Sequence, residues 1–195
     1  MEQIISLNLK KGMSLDLTKK DATLKKLGVG LGWKTTYDLD SIAFLVDKNG
    51  EIQETVCYQN LDGHGVKLDG DDRVGGKDGD CETLSIKFSK LNENITKIML
   101  LANIYAAKKQ KICFGKVMIK GDTFDKVQGS YIRLYNKETN QELCKYSLEE
   151  NGSQYNAFHF ADLIKQEDGT WTFKTIGEGM NGSIEQLRKQ LDKNN

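Results

Sequence analysis

A chain of 195 residues with 38% hydrophobic and 29% charged side chains has the size and composition of a globular protein with a buried core. Its 28 bases balance 28 acids, which excludes a general nucleic-acid binder, because such a protein needs a basic face to release counterions from phosphate. The opening MEQIISLNLKKG lacks the charged start and long apolar run of a secretory signal, and the most apolar stretch, 98–107, is about half a transmembrane helix; the expectation is a soluble, cytoplasmic chain.

Read in order, residues 4–7 and 14–17 are short strands, and 27–33 alternates Leu, Val, Leu, Trp with Gly28, Gly30 and Gly32. Glycine on one face of a strand predicts a bend or the close approach of another backbone. Strands follow at 41–46 and 52–58, joined through Asp47-Lys48-Asn49-Gly50, a hairpin tip with an Asn-Gly signal. Further strands fall at 84–88, 95–105, 114–119, 127–135, 143–148, 155–164 and 170–176, with 95–105 apolar enough to be central. Helical readings of 21–26 and 155–164 are weaker alternatives. Only the end is clearly helical, with Ser183 as N-cap, Gln186 completing a capping box, and Ile184, Leu187 and Leu191 on one face. The pattern predicts a mostly β fold, a single antiparallel β-sandwich domain over 1–195, with a short C-terminal helix at 183–193 packed on it.

Residues 62–82 carry seven acids, Asp62, Asp69, Asp71, Asp72, Asp78, Asp80 and Glu82, against three bases, a net −4. Two like charges about 4 Å apart repel by roughly 4 kcal/mol at an effective dielectric near 20, so such crowding calls for a compensating cation. Calcium suits it, since it takes six to eight oxygens in a loose geometry and glycine lets carbonyls curl inward. The competing reading is a solvated turn, which has the same Asp-Gly composition. An EF-hand is excluded, because Thr83 stands where its glycine would fall and the flanks alternate with period two.

Cys57, Cys81, Cys113 and Cys144 show no Cys-x-x-Cys pairing, so they read as reduced thiols, with Cys81 in an exposed loop. His64 beside the acidic loop reads as solvated, and His159 as a strand residue facing away from Phe158 and Phe160. Trp33 and Trp171 read as core. These residues assemble no nucleophile and base in a recognisable setting, and the alternating glycines open no helix as a dinucleotide loop would.

Taken together, 27–33 (LGVGLGW), 38–45 (DLDSIAFL), 58–61 (YQNL), 70–82 (GDDRVGGKDGDCE), 131–134 (YIRL) and Trp171-Thr172-Phe173 ahead of Ile176-Gly177 resemble, in order and over nearly the whole chain, the TerD family of bacterial tellurium-resistance and stress proteins. The resemblance implies a non-enzymatic β-sandwich that binds Ca2+ through loops near one end. Its metal ligands would be Asp38, Asp40, Asn60, Asp71, Asp72, Asp78, Asp80 and Glu82. It implies action with other tellurium-resistance proteins, membrane-associated ones among them. Cys81 departs from the pattern by standing in place of an aspartate, and 111–122 is longer than the family's segment. A cyclic-nucleotide-like ligand and a thiol response to oxidants are the alternative functions.

Overall fold

The computed structural model describes residues 7–8, 10–76, 78–105, 110–113, 116–119, 122–148 and 154–192. Its strands begin with β1 (Leu7–Asn8), β2 (Ser14–Asp16), β3 (Lys26–Gly32), β4 (Leu39–Asp47) and β5 (Ile52–Val56). Next come β6 (Asp62–Gly63), β7 (Val66–Leu68), β8 (Glu82–Lys87), β9 (Ile95–Ile104), β10 (Gln110–Cys113) and β11 (Lys116–Ile119). The series ends with β12 (Tyr131–Asn136), β13 (Glu142–Ser147), β14 (Ala157–Lys165) and β15 (Trp171–Met180). Helices α1 (Leu17–Lys20) and α2 (Ile184–Leu191) complete it, with 3-10 turns at Phe88–Lys90 and Phe124–Lys126.

Two sheets form a sandwich. The first runs β1-β13-β12-β3-β8-β7-β6 and the second β2-β15-β14-β9-β4-β5; β10 and β11 pair apart from both. All pairings are antiparallel except that of the two-residue β1 with β13. The main core lies between the sheets, where Val29, Leu31, Leu84 and Leu134 meet Leu45, Leu100, Phe158 and Phe160.

Strand β4 shows why its sequence is continuously apolar. With side chains alternating from face to face, Ala43 and Leu45 enter the main core while Ile42, Phe44 and Val46 join a second cluster with Met99 and Leu101. Ile184 and Leu187 of α2 cover that second cluster, so the helix roofs the outer face of the second sheet. The predicted cap is present: Ser183 Oγ accepts from Gln186 N at 3.4 Å and Gln186 Oε1 accepts from Ser183 N at 2.9 Å.

Local differences from the sequence reading have physical causes. The chain turns helical at Leu17 rather than at 21–26, because Asp16 caps that turn by accepting from Lys19 N. Residues 157–165 are strand throughout, buried between β9 and β15. The predicted extension at 111–122 contains the β10–β11 hairpin, and the predicted strand at 4–7 lies largely outside the described residues. Gly28, Gly30 and Gly32 are overlain by side chains, not backbone: Tyr135, the Asp80 carboxylate and Tyr131 occupy the space that a Cβ at each would take.

Candidate metal centre

Strand β4 begins at one end of the second sheet and β8 begins at the same end of the first. Asp38 precedes β4 and Asp40 lies two residues on, so period-two alternation sends both carboxylates to one face. The acidic loop between β7 and β8 brings Asp71 against them, and carboxylate oxygens of Asp38, Asp40 and Asp71 all lie within 4.8 Å of one another. These three, with Tyr58, Arg73 and Tyr105, line a cavity of about 110 Å³. The two tyrosine rings meet edge to face at 5.5 Å.

Glu82, first residue of β8, reaches across from the other sheet. Its Oε2 accepts from the backbone N–H of Ser41 at 2.6 Å, and the residue is 2% exposed, as is Asp40. Among the described residues, Asp38 Oδ1, Asp40 Oδ2, Glu82 Oε1 and the amide oxygen of Asn103 are buried without a hydrogen-bond partner in the protein. Asn103 pairs directly with Asp40 across β4 and β9; a lone Asn in an apolar ten-residue strand was the signal that could have singled it out.

Charge crowding shows in the proton affinities. Burial, then the charges of Glu82, Asp38 and Asp71, push the Asp40 carboxyl up to about 8. Burial pushes Glu82 up to about 7, opposed by the hydrogen bonds from Ser41. Asp38 is raised by burial and then by Asp71. Buried carboxylates are ordinarily hydrogen-bonded or paired. Here Asp38 and Asp40, each with an unpartnered carboxylate oxygen, line one cavity with Asp71, and an all-oxygen donor set of this kind fits a hard divalent cation such as calcium.

The other sequence-predicted ligands have different surroundings. Asn60 is exposed and donates to Thr55 O at 2.9 Å. Asp72 accepts from Val74 N and Gly75 N at 3.1 Å, closing the turn that presents Asp71. Asp78 is exposed. Asp80 lies on the outer face of the first sheet, where Arg133 Nε donates to its two oxygens at 2.8 and 2.9 Å and the Tyr131 hydroxyl donates at 3.1 Å. The Arg133 guanidinium also stands 4.3 Å from the Tyr135 ring centroid. Cys81, read from sequence as exposed, is buried; its backbone N–H donates to Leu31 O and its thiol to Trp33 O. Cys57, Cys81 and Cys144 are buried thiols without disulfides.

Trp33 holds the site together in a way its core assignment did not reveal. Its indole Nε1 donates to Tyr37 O at 2.7 Å, fixing the approach to Asp38, and its carbonyl accepts from Gly76 N at 3.2 Å, fixing the acidic loop. Neither histidine lines the cavity. His64 meets Glu54 at 3.3 Å, and buried His159 lies 2.7 Å from Asp162.

Fold and site define a β-sandwich protein with an acidic cavity where the two sheets' strand ends converge. The chain belongs to the TerD family: the family model for the TerD domain matches residues 5–191. It is 33% identical over 192 residues to the tellurium resistance protein TerD of Serratia marcescens, covering 92% of this chain and 94% of that one. It is 32% identical over 195 residues to general stress protein 16U of Bacillus subtilis (strain 168), covering 94% and 95%. In three dimensions it is similar to a homologue of telluride resistance protein from Streptomyces coelicolor A3(2), with a TM-score of 0.69, 18% identity, and 85% and 95% of the two chains covered. Among the described residues no helix is long and apolar enough to cross a membrane.

Proposed function

We propose that this chain is a non-enzymatic calcium-binding protein of a bacterial stress and tellurite-resistance system, acting in the cytoplasm through calcium-dependent contact with partner proteins of the same system. The observation that carries the reading is the pair of buried, unpartnered oxygens of Asp38 and Asp40, which line the cavity that Asp71 completes, with the unpartnered Oε1 of Glu82 on the residue whose charge acts on Asp40. Asp38, Asp40, Asp71 and Glu82 would hold the ion, with Asn103 Oδ1 as a neutral donor. Bound calcium supplies two positive charges and a demand for six to eight oxygens. Asp40 and Glu82 would have to be ionised to meet that demand. Asp71 would tie its loop to β4 through the ion, while Glu82 would keep its bond to Ser41 between the sheets.

Ordering that loop would shape a contact surface. Exposed Tyr105 lines the cavity and exposed Val74 lies in the acidic loop, and other tellurium-resistance proteins, membrane-associated ones among them, would be the partners. A cyclic-nucleotide ligand is disfavoured, because Asp38, Asp40 and Asp71 line the cavity against the single base Arg73 and would repel its phosphate. A thiol response is disfavoured by the burial of Cys81 next to carboxylates.

Calorimetric calcium titration of chelator-stripped protein, with melts alongside, tests the reading. The wild type should bind, gaining about 2.7 kcal/mol of stability at a hundredfold excess over the dissociation constant, and Asp40→Asn/Asp71→Asn should not. No heat and no change in melting temperature for the wild type would sink it.

A further inference from the structure

The cavity already contains a cation of the protein's own. Arg73 is the one base among its lining residues, and its Nε donates to Asp71 Oδ2 at 3.0 Å. Asp71 is the carboxylate that reaches the cluster from a loop, whereas Asp38 and Asp40 are fixed at the start of β4. The acidic cluster is more than a solvated patch, since Asp40 lines the cavity, is 2% exposed, and has its Oδ2 buried without a hydrogen-bond partner. We propose that Arg73 is a resident counter-ion that competes with calcium for Asp71, and so sets the calcium concentration at which the site fills. This rests on the calcium reading given above.

The chemistry is an exchange. A guanidinium binds one carboxylate through directed N–H donors and carries one charge; calcium collects several oxygens at once and carries two. Arg73 holds Oδ2 of Asp71, so calcium that takes this oxygen, or both oxygens of the carboxylate, releases the guanidinium into solvent, and calcium on Oδ1 alone still meets its charge. The cost of that release is small, because the Arg73 side chain is 77% exposed and exposed ion pairs are weak. Arg73 therefore lowers affinity without blocking the site. It also makes affinity depend on salt in a particular way, since an exposed guanidinium is screened at high ionic strength and the competition fades.

The test compares wild type, Arg73→Gln, Arg73→Lys and, as a control for net charge alone, Lys48→Gln at the far end of β4, by calorimetric titration with calcium chloride at low and high salt. Arg73→Gln should bind about fivefold more tightly at low salt, with the gain shrinking at high salt, while Arg73→Lys and Lys48→Gln stay near the wild type. As an independent readout, the Arg73 Nε–H chemical shift should report the bond to Asp71 in ion-free protein and move to the position of a free arginine on adding calcium. Equal or weaker binding by Arg73→Gln, or an Nε–H signal indifferent to calcium, overturns the proposal and leaves the calcium site standing. Failure of both wild type and Arg73→Gln to bind calcium removes the calcium reading itself and this inference with it.

Discussion

The backbone N–H of Ser41 donates to Oε2 of Glu82 at 2.6 Å, a bond from the second sheet to the first at the edge of the acidic cavity. One oxygen of Glu82 thus ties the sandwich while the other, Oε1, is left without a partner. Glu82→Gln separates these roles. Its carbonyl oxygen can still accept from Ser41, and its amide can donate where a charge faced Asp40. At about pH 8, calcium-free Glu82→Gln should be more stable than the wild type by about 1 kcal/mol, measured by urea unfolding with chelator, yet gain less from calcium. A variant that is less stable without calcium and equally responsive to it would show that Glu82 serves only the fold.

The same crowding fixes a dependence on pH. Asp40 near 8 and Glu82 near 7 stand above their ordinary 3.8 and 4.5. The native, calcium-free chain therefore binds more protons than the unfolded chain between those values, and stability falls as pH rises. The contribution is complete below about pH 4 and is lost as pH climbs through 7 to 8. Calcium requires the ionised carboxylates, so its affinity should rise over the same window, with protons released on binding. Unfolding curves from about pH 5 to pH 8 should slope downward with chelator and flatten with calcium. A calcium-free protein that gains stability toward pH 8 would contradict the charge assignment.

Much of this was legible in the sequence, and the limits have a physical pattern. Alternation showed β3 and β8 because side chains on a strand must alternate, the Asn-Gly tip marked the hairpin of β4 and β5, an apolar run marked β9, and Ser183 with Gln186 marked α2 because capping is local. The acid-rich loop was visible as composition. What the sequence hid was pairing at a distance. Asp80 resembles Asp71 in its neighbours, yet Arg133, 53 residues away, holds it on the opposite face of the first sheet. Asn103 sat in an apolar run with nothing to show that Asp40 lay across from it. Trp33 was legible as buried, and not as the anchor of two loops.

The Asp80–Arg133 pair makes a separable prediction. The Asp80 side chain is 9% exposed and presses on Gly30, where a Cβ would come within 2.2 Å of its Oδ2. Arg133→Leu leaves that carboxylate buried with only the Tyr131 hydroxyl and should cost about 2 kcal/mol. Arg133→Leu/Asp80→Asn should recover part of the loss, because the stranded charge is gone. Both folded variants should still bind calcium. Calorimetry decides: loss of binding in the double variant, with its melt close to that of the wild type, would return Asp80 to the ligand set.

Gly75 carries the last prediction, because it joins loop conformation to the site. Its φ of +58° suits glycine, and a Cβ there would fall 1.8 Å from Trp33 Nε1, the atom that donates to Tyr37 O. Gly75→Ala must therefore move the indole, break its bond to Tyr37, or shift the loop, and each displaces Asp71 from Asp38 and Asp40. The sheets do not depend on this contact, since their core lies between β3, β8, β9 and β14. Far-ultraviolet circular dichroism should stay that of the wild type while Trp33 fluorescence shifts and calcium affinity falls about tenfold, equivalent to about 1.4 kcal/mol. Unchanged affinity with shifted fluorescence would mean that Asp71 takes its place without the Trp33 anchor, and the loop would then have to be positioned by the ion alone.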